Sequence, residues 1–131
     1  NTYCKNNGYT DTSMGRMLLE KASANENYTS ARDCSVFLKN IYENKLEHSE
    51  DMLNLLKQQT RTEKIPKGIP SGVETANKTG ELDHVENDAA IVFDGENPYI
   101  ICVMADNLSD TTEARQRIVD ISSVVYENIS K

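Results

Sequence analysis

Residues 73–105 contain three strand-like runs, 73–82, 89–94 and 99–105, with short turns at 83–87 and Gly95-Glu96-Asn97-Pro98 between them. Parallel neighbours need a crossover of a dozen residues or more, so connections this short favour antiparallel hairpins. That constrains the rest of the chain, because a three-stranded sheet must be covered by whatever flanks it. Upstream, Pro66 and Pro70 exclude regular structure from 63–71. Downstream, Asp110 caps a helix, and Glu113 three residues on completes a capping-box pattern. Ala114, Ile118, Ile121, Val125 and Ile129 give that helix one apolar face, expected to lie on the sheet.

The first part of the chain reads as helices and a loop. Residues 1–7 look like the last turns of a helix, with Gly8 at the left-handed C-cap position. Residues 10–27 have no period and read as an irregular loop. Thr29 or Ser30 caps the next helix, with Asp33 in its first turn where the dipole favours a negative charge. Cys34, Phe37, Leu38, Ile41 and Tyr42 repeat at helical spacing. Ser49 caps another helix, with Met52, Leu53, Leu55 and Leu56 facing inward. The expected class is α/β of the α+β type: helices, a three-stranded antiparallel sheet, and a C-terminal helix packed on it. The expected organisation is a helical segment with its loop at 1–62 and the sheet plus helix at 63–131. At 131 residues they form one domain's worth of chain.

Charge and composition remove several classes. A formal charge of −7 argues against nucleic acid, which calls for a basic patch. No apolar stretch approaches the length of a membrane span. Three cysteines, Cys4, Cys34 and Cys102, are spread along the chain without a C-x-x-C, which argues against a disulfide scaffold or a zinc site. Cys34 and Cys102 read as buried thiols behaving as small hydrophobes. His48 and His84 are isolated, so no metal is expected. The Asn27, Asn107 and Asn128 sequons read as coincidence in so asparagine-rich a chain.

Lys78-Thr79-Gly80 sits on the first strand, after Lys64-Ile65-Pro66 and Ile69-Pro70-Ser71-Gly72 and before the strand that opens Ala89-Ala90-Ile91-Val92-Phe93. In that setting it resembles the third motif of the penicillin-recognising serine hydrolases, the class A β-lactamases and their D,D-peptidase relatives. The resemblance implies that Lys78 and Thr79 hold a substrate carboxylate by charge-assisted hydrogen bonds. It implies that Gly80 leaves room for the acyl group and that the Glu81 backbone N–H is an oxyanion donor. The substrates implied are β-lactams or peptidoglycan stem peptides, without a cofactor, in an extracytoplasmic bacterial setting.

The family's other motifs, S-x-x-K and S-D-N, are absent: no serine has a lysine three residues on, and Ser109-Asp110 is followed by Thr111. The chain therefore resembles the C-terminal half of such a hydrolase. Its expected partner is the N-terminal half, or a second copy joined at the apolar edge 99–105. In the class A β-lactamases an omega loop before a Thr-rich helix start carries an Arg, then a deacylating Glu two residues later, then an acidic partner for the Arg. Arg16 matches the Arg, but Leu18 stands where the Glu belongs. Glu20 matches only in a shifted register and otherwise reads as a solvated acid beside Lys21. Asn27 occupies the site of the acidic partner. A leucine there implies slow deacylation, hence a weak β-lactamase, a D,D-peptidase-like enzyme or an inactive relative. The competing function is a non-catalytic binding domain that kept the fold.

Overall fold

Each strand pairs with its sequence neighbour in the computed structural model, which describes residues 1–17, 19–20 and 25–129. Strands β1 (Glu74–Leu82), β2 (Val85–Phe93) and β3 (Tyr99–Ala105) form an antiparallel sheet in the order β1-β2-β3. Helices α1 (Thr2–Asn6), α2 (Ala31–Tyr42) and α3 (Ser49–Lys57) precede it, a 3₁₀ turn (Ile65–Gly68) leads into it, and α4 (Thr111–Ile129) follows. Successive side chains on a strand point to opposite faces. Ala76, Ala89 and Ile91 accordingly pack with Leu38 and Ile41 of α2 on one face. Ala90, Val92 and Ile101 pack with Ile65, Ile69 and Ile118 on the other. The sheet is thus a middle layer between α2 and α3 on one side and α4 on the other.

Helix α2 starts at Ser30, whose hydroxyl accepts the Asp33 N–H at 3.1 Å. Asp33 does more than meet the dipole. It is buried, and its Oδ2 accepts from the Asp11 N–H at 2.9 Å and the Thr12 hydroxyl at 2.8 Å, tying the preceding loop to the helix. Gly8 takes φ +81, as its C-terminal capping role requires.

The structure corrects several local readings. β2 begins at Val85, so the first connection is only Asp83-His84, with His84 in the left-handed region at φ 63. Its first half escapes an apolar search because Glu86 and Asp88 are buried and have charged or polar partners inside the protein. The segment 63–71 is not wholly irregular: Pro66 sits at the start of the 3₁₀ turn, where its missing N–H costs nothing. Ser49 opens α3 rather than capping it. His48 is the capping residue, at φ 62, while the Ser49 hydroxyl exchanges hydrogen bonds with the Leu46 N–H and carbonyl. Leu55 is exposed, not inward. On α4 the buried stripe is Ala114, Ile118 and Ser122, while Ile121 and Ile129 are exposed. The Ser122 hydroxyl donates to the Ile65 carbonyl at 2.8 Å and seats α4 on the 3₁₀ turn. Gly68 permits that approach, since a Cβ there would lie 2.4 Å from the Val119 carbonyl oxygen.

Candidate functional site

β1 lies at the edge of the sheet, so alternate backbone groups along its outer side have no strand partner. Which groups these are follows from one buried cation. The Lys64 ammonium reaches the Asn87 carbonyl of β2 at 2.9 Å and the Gly80 carbonyl at 3.4 Å. The Gly80 carbonyl therefore faces β2. Every peptide bond described is trans, and in a trans peptide the carbonyl and N–H point opposite ways. The Glu81 N–H consequently faces the open edge.

Lys78 and Thr79 flank that edge from opposite faces. Lys78 lies opposite Ala89, on the face covered by α2, and is exposed; Thr79 lies opposite Asp88 and is buried. The Lys78 ammonium folds back onto the Thr79 carbonyl. Lys78, Thr79 and Gly80 line an apolar cavity of about 680 Å³ together with Phe37, Leu56 and Met104. The three motif residues are thus brought together beside a sizeable apolar cavity.

Beneath the motif lies a charged network that sequence reasoning missed. Lys64 is 1% exposed and stands 2.7 Å from Glu86 and 3.2 Å from Glu81. Arg115 of α4 meets the other Glu86 oxygen at 3.1 Å, and Arg61 meets the other Glu81 oxygen at 2.7 Å. The hydrogen-bonding contact with Lys64 holds the Glu81 carboxyl below the usual carboxylate range; burial opposes the shift, and the Lys64, Arg61 and Arg115 charges add to it. The Lys64 hydrogen bonds are aimed at the two carbonyls, so Glu86 Oε2 has an ion contact but no directed donor. The available signal was a lysine directly before Ile65-Pro66, at the entry to an apolar turn.

Asp88 forms the second buried element. Its Oδ1 accepts from Asn77 Nδ2 at 3.1 Å and its Oδ2 from the Ile65 N–H at 3.0 Å. Burial still pushes its carboxyl above the ordinary 3.8, against these hydrogen bonds and the Lys64 charge. An acid whose folded-state value is raised binds its proton more tightly when folded. Its contribution to stability therefore falls as pH rises from about 3.8 through the folded value. Asp88→Asn is expected to cost about 1–3 kcal/mol, because an amide cannot accept from both donors. The gap between wild type and variant should narrow as pH rises through that window. Urea denaturation of both proteins across it tests this; a gap that stays constant or widens would remove Asp88 from the titration.

The loop is organised differently from its sequence reading. Arg16 pairs with Glu26, not with the Asn27 site, at 2.8 Å. Asn27 Oδ1 instead accepts the Gly15 and Arg16 N–H groups at 2.9 and 3.1 Å. An acidic partner is therefore present one residue earlier than expected. Glu20 is exposed, its carboxylate accepts the Met17 N–H at 2.9 Å, and it does not line the cavity. Leu18 lies outside the described residues.

Among the described residues no group of His, Cys, Asp and Glu is arranged to hold a metal, and no helix is long and apolar enough to cross a membrane. Cys34 and Cys102 are half-buried against the α2 side of the core. The Cys102 thiol is pushed up to about 12, chiefly by burial.

Comparison with known proteins gives a consistent result. A family model described as the beta-lactamase enzyme family matches residues 1–129. Among solved structures, the beta-lactamase of Sphaerobacter thermophilus DSM 20745 superposes with a TM-score of 0.89 at 23% identity, over 98% of this chain and 52% of that one. PBP-A gives 0.85 at 24%, over 98% and 49%. An ancestral class A beta-lactamase gives 0.83 at 19%, over 97% and 53%. A leucine-to-glutamate mutant of PBP-A, solved as an acyl-enzyme complex with penicillin G, is also similar. The chain spans about half the length of each of these structures. No curated protein matches it.

Proposed function

This chain belongs to the beta-lactamase enzyme family, and we propose that it forms the carboxylate-anchoring part of a serine acyl-transfer hydrolase acting on β-lactams or peptidoglycan stem peptides. The observation that carries this reading is the joint orientation at the β1 edge: Lys78 and Thr79 border the cavity, and the Glu81 N–H faces the same open side. Lys78 and Thr79 would grip the substrate carboxylate by charge-assisted hydrogen bonds, with Gly80 leaving room beside the strand. A serine oxygen would attack the scissile carbonyl, and the resulting oxyanion would accept the Glu81 N–H. The carbon–nitrogen bond then breaks and the amine leaves with a proton.

The nucleophile and its bases come, in this proposal, from a further segment carrying S-x-x-K and S-D-N. Residues 1–62 and 63–131 then act as one incomplete domain. An N-terminal half completes it, or a second copy joined at the 99–105 edge, in an extracytoplasmic bacterial setting. Labelling of the full-length polypeptide with a fluorescent penicillin is the test. Covalent uptake on a serine supports the reading, and its absence favours a non-catalytic binding domain. The second reading draws on Leu18 and Asn27, which stand where the family's deacylating Glu and the Arg's acidic partner are expected.

Deacylation is expected to be slow. Glu20 is committed to the Met17 N–H, and Leu18 has no carboxylate to reach a water. Leu18→Glu should accelerate release of a preformed penicilloyl adduct by about 10²-fold, within the range of general-base catalysis. A chase experiment measures it. Unchanged release, with slower release on Glu20→Gln, would move the role to Glu20.

A further inference from the structure

We propose that Lys64 is a positioning residue for the oxyanion donor: it orients and polarises the Gly80–Glu81 peptide, whose N–H is offered at the open edge. The inference deepens the functional reading above and rests on it for its kinetic consequence, though not for its structural one.

Lys64 holds that peptide from both ends. Its ammonium lies 3.4 Å from the Gly80 carbonyl oxygen, the acceptor end of the peptide, and 3.2 Å from the carboxylate of Glu81, the residue that bears the N–H. The same ammonium bonds the Asn87 carbonyl on β2 at 2.9 Å, so the peptide is referenced to the sheet interior and not to a mobile surface group. At 3.4 Å the hydrogen bond to Gly80 is long, but a full charge acts on the carbonyl through space as well. With Lys64 1% exposed, water screens that field little. A cation at a carbonyl oxygen draws electron density through the amide and makes its N–H a stronger donor, which is how hydrogen bonds in chains reinforce one another. Lys64 is itself fixed, because Glu86 lies 2.7 Å away and is held from its other oxygen by Arg115 at 3.1 Å. An ammonium so enclosed is not available to bind substrate directly. Its effect reaches the edge only through the peptide it clamps. Lys78, by contrast, is exposed and placed to touch substrate.

The experiment uses the full-length polypeptide with Lys64→Met/Glu86→Gln, which removes the ammonium without leaving a lone buried carboxylate. Lys64→Gln/Glu86→Gln, which keeps a donor for Asn87, serves where the first does not fold. Glu86→Gln alone is the control, and Lys64→Arg is the rescue. The Glu81 amide proton, followed by ¹H–¹⁵N NMR, should move upfield in either double variant and return in Lys64→Arg. Acylation by penicillin should slow about 10-fold, short of the 10²–10³ for outright loss of a donor. The binding constant for penicillin should not change, because Lys78 and Thr79 are intact. A Glu81 resonance that stays in place while core resonances remain dispersed overturns the proposal. So does a loss of acylation that appears wholly as weaker binding. A wild-type polypeptide that takes up no penicillin overturns the functional reading instead, and the Glu81 resonance still decides the role of Lys64.

Discussion

Lys64→Met is expected to lower the free energy of unfolding by about 3–5 kcal/mol, the usual cost of removing one partner of a buried ion pair. That is a large share of the 5–15 kcal/mol available to a typical domain. The reason is what remains behind. Glu86 is 3% exposed, and without Lys64 it has only Arg115 at 3.1 Å against one oxygen. The Asn87 carbonyl loses its 2.9 Å donor in the same step. Replacing both partners, as in Lys64→Met/Glu86→Leu, should recover most of the loss, since neither charge is then stranded. Lys67, exposed and 4.0 Å from an exposed Glu63, is the control; its change to Met should stay within about 0.5 kcal/mol. Urea or guanidinium denaturation reads all three. A loss below about 1 kcal/mol for Lys64→Met would mean that Glu86 is solvated on its own.

Lys78→Ala in the full-length polypeptide is expected to reduce acylation by penicillin about 10²-fold or more, the scale on which a positioned electrostatic group acts. Stability should hardly change, because Lys78 is exposed and its folded-back contact with the Thr79 carbonyl is local. Lys67→Ala, which alters a charge on the 3₁₀ turn outside the cavity, should leave acylation unaffected. Stopped acylation time courses at several penicillin concentrations separate binding from chemistry. Equal effects of the two substitutions would remove Lys78 from the site.

The elements set by local rules were legible in the sequence. Helical spacing at Cys34–Leu38–Ile41, the Ser30 and Asp110 caps, and the short turns around an apolar β2 and β3 each rest on chain neighbours alone. The three motif residues are contiguous, and the structure places them together at the β1 edge beside the cavity. What was missed depends on partners distant in the chain. Glu86 reads as a turn residue and Asp88 falls outside the strand run because charge ordinarily means solvent; Lys64, Arg115, Asn77 and the Ile65 N–H, 11 to 29 residues away, make their burial tolerable. Ser122 in place of Ile121 on the buried stripe of α4 follows from the Ile65 carbonyl, 57 residues away, which periodicity cannot see. Glu26 as the partner of Arg16 went unread, because the loop has no period to fix its register.

The sequential order of the sheet has a kinetic consequence. β1 meets β2 across Asp83-His84, and β2 meets β3 across residues 94–98. Loops this short close in well under a microsecond, and hairpins form within about 1–10 μs. Contact order is correspondingly low across the segment that carries the motif, so its register should be established early. The late step is different in kind: α4 must return from the far side of β3 to place Ser122 over Ile65 and Arg115 beside Glu86. Until it does, Glu86 has no partner on that flank. Substitutions at Ser122 or Arg115 should therefore leave the early phase of refolding untouched and act mainly by speeding unfolding.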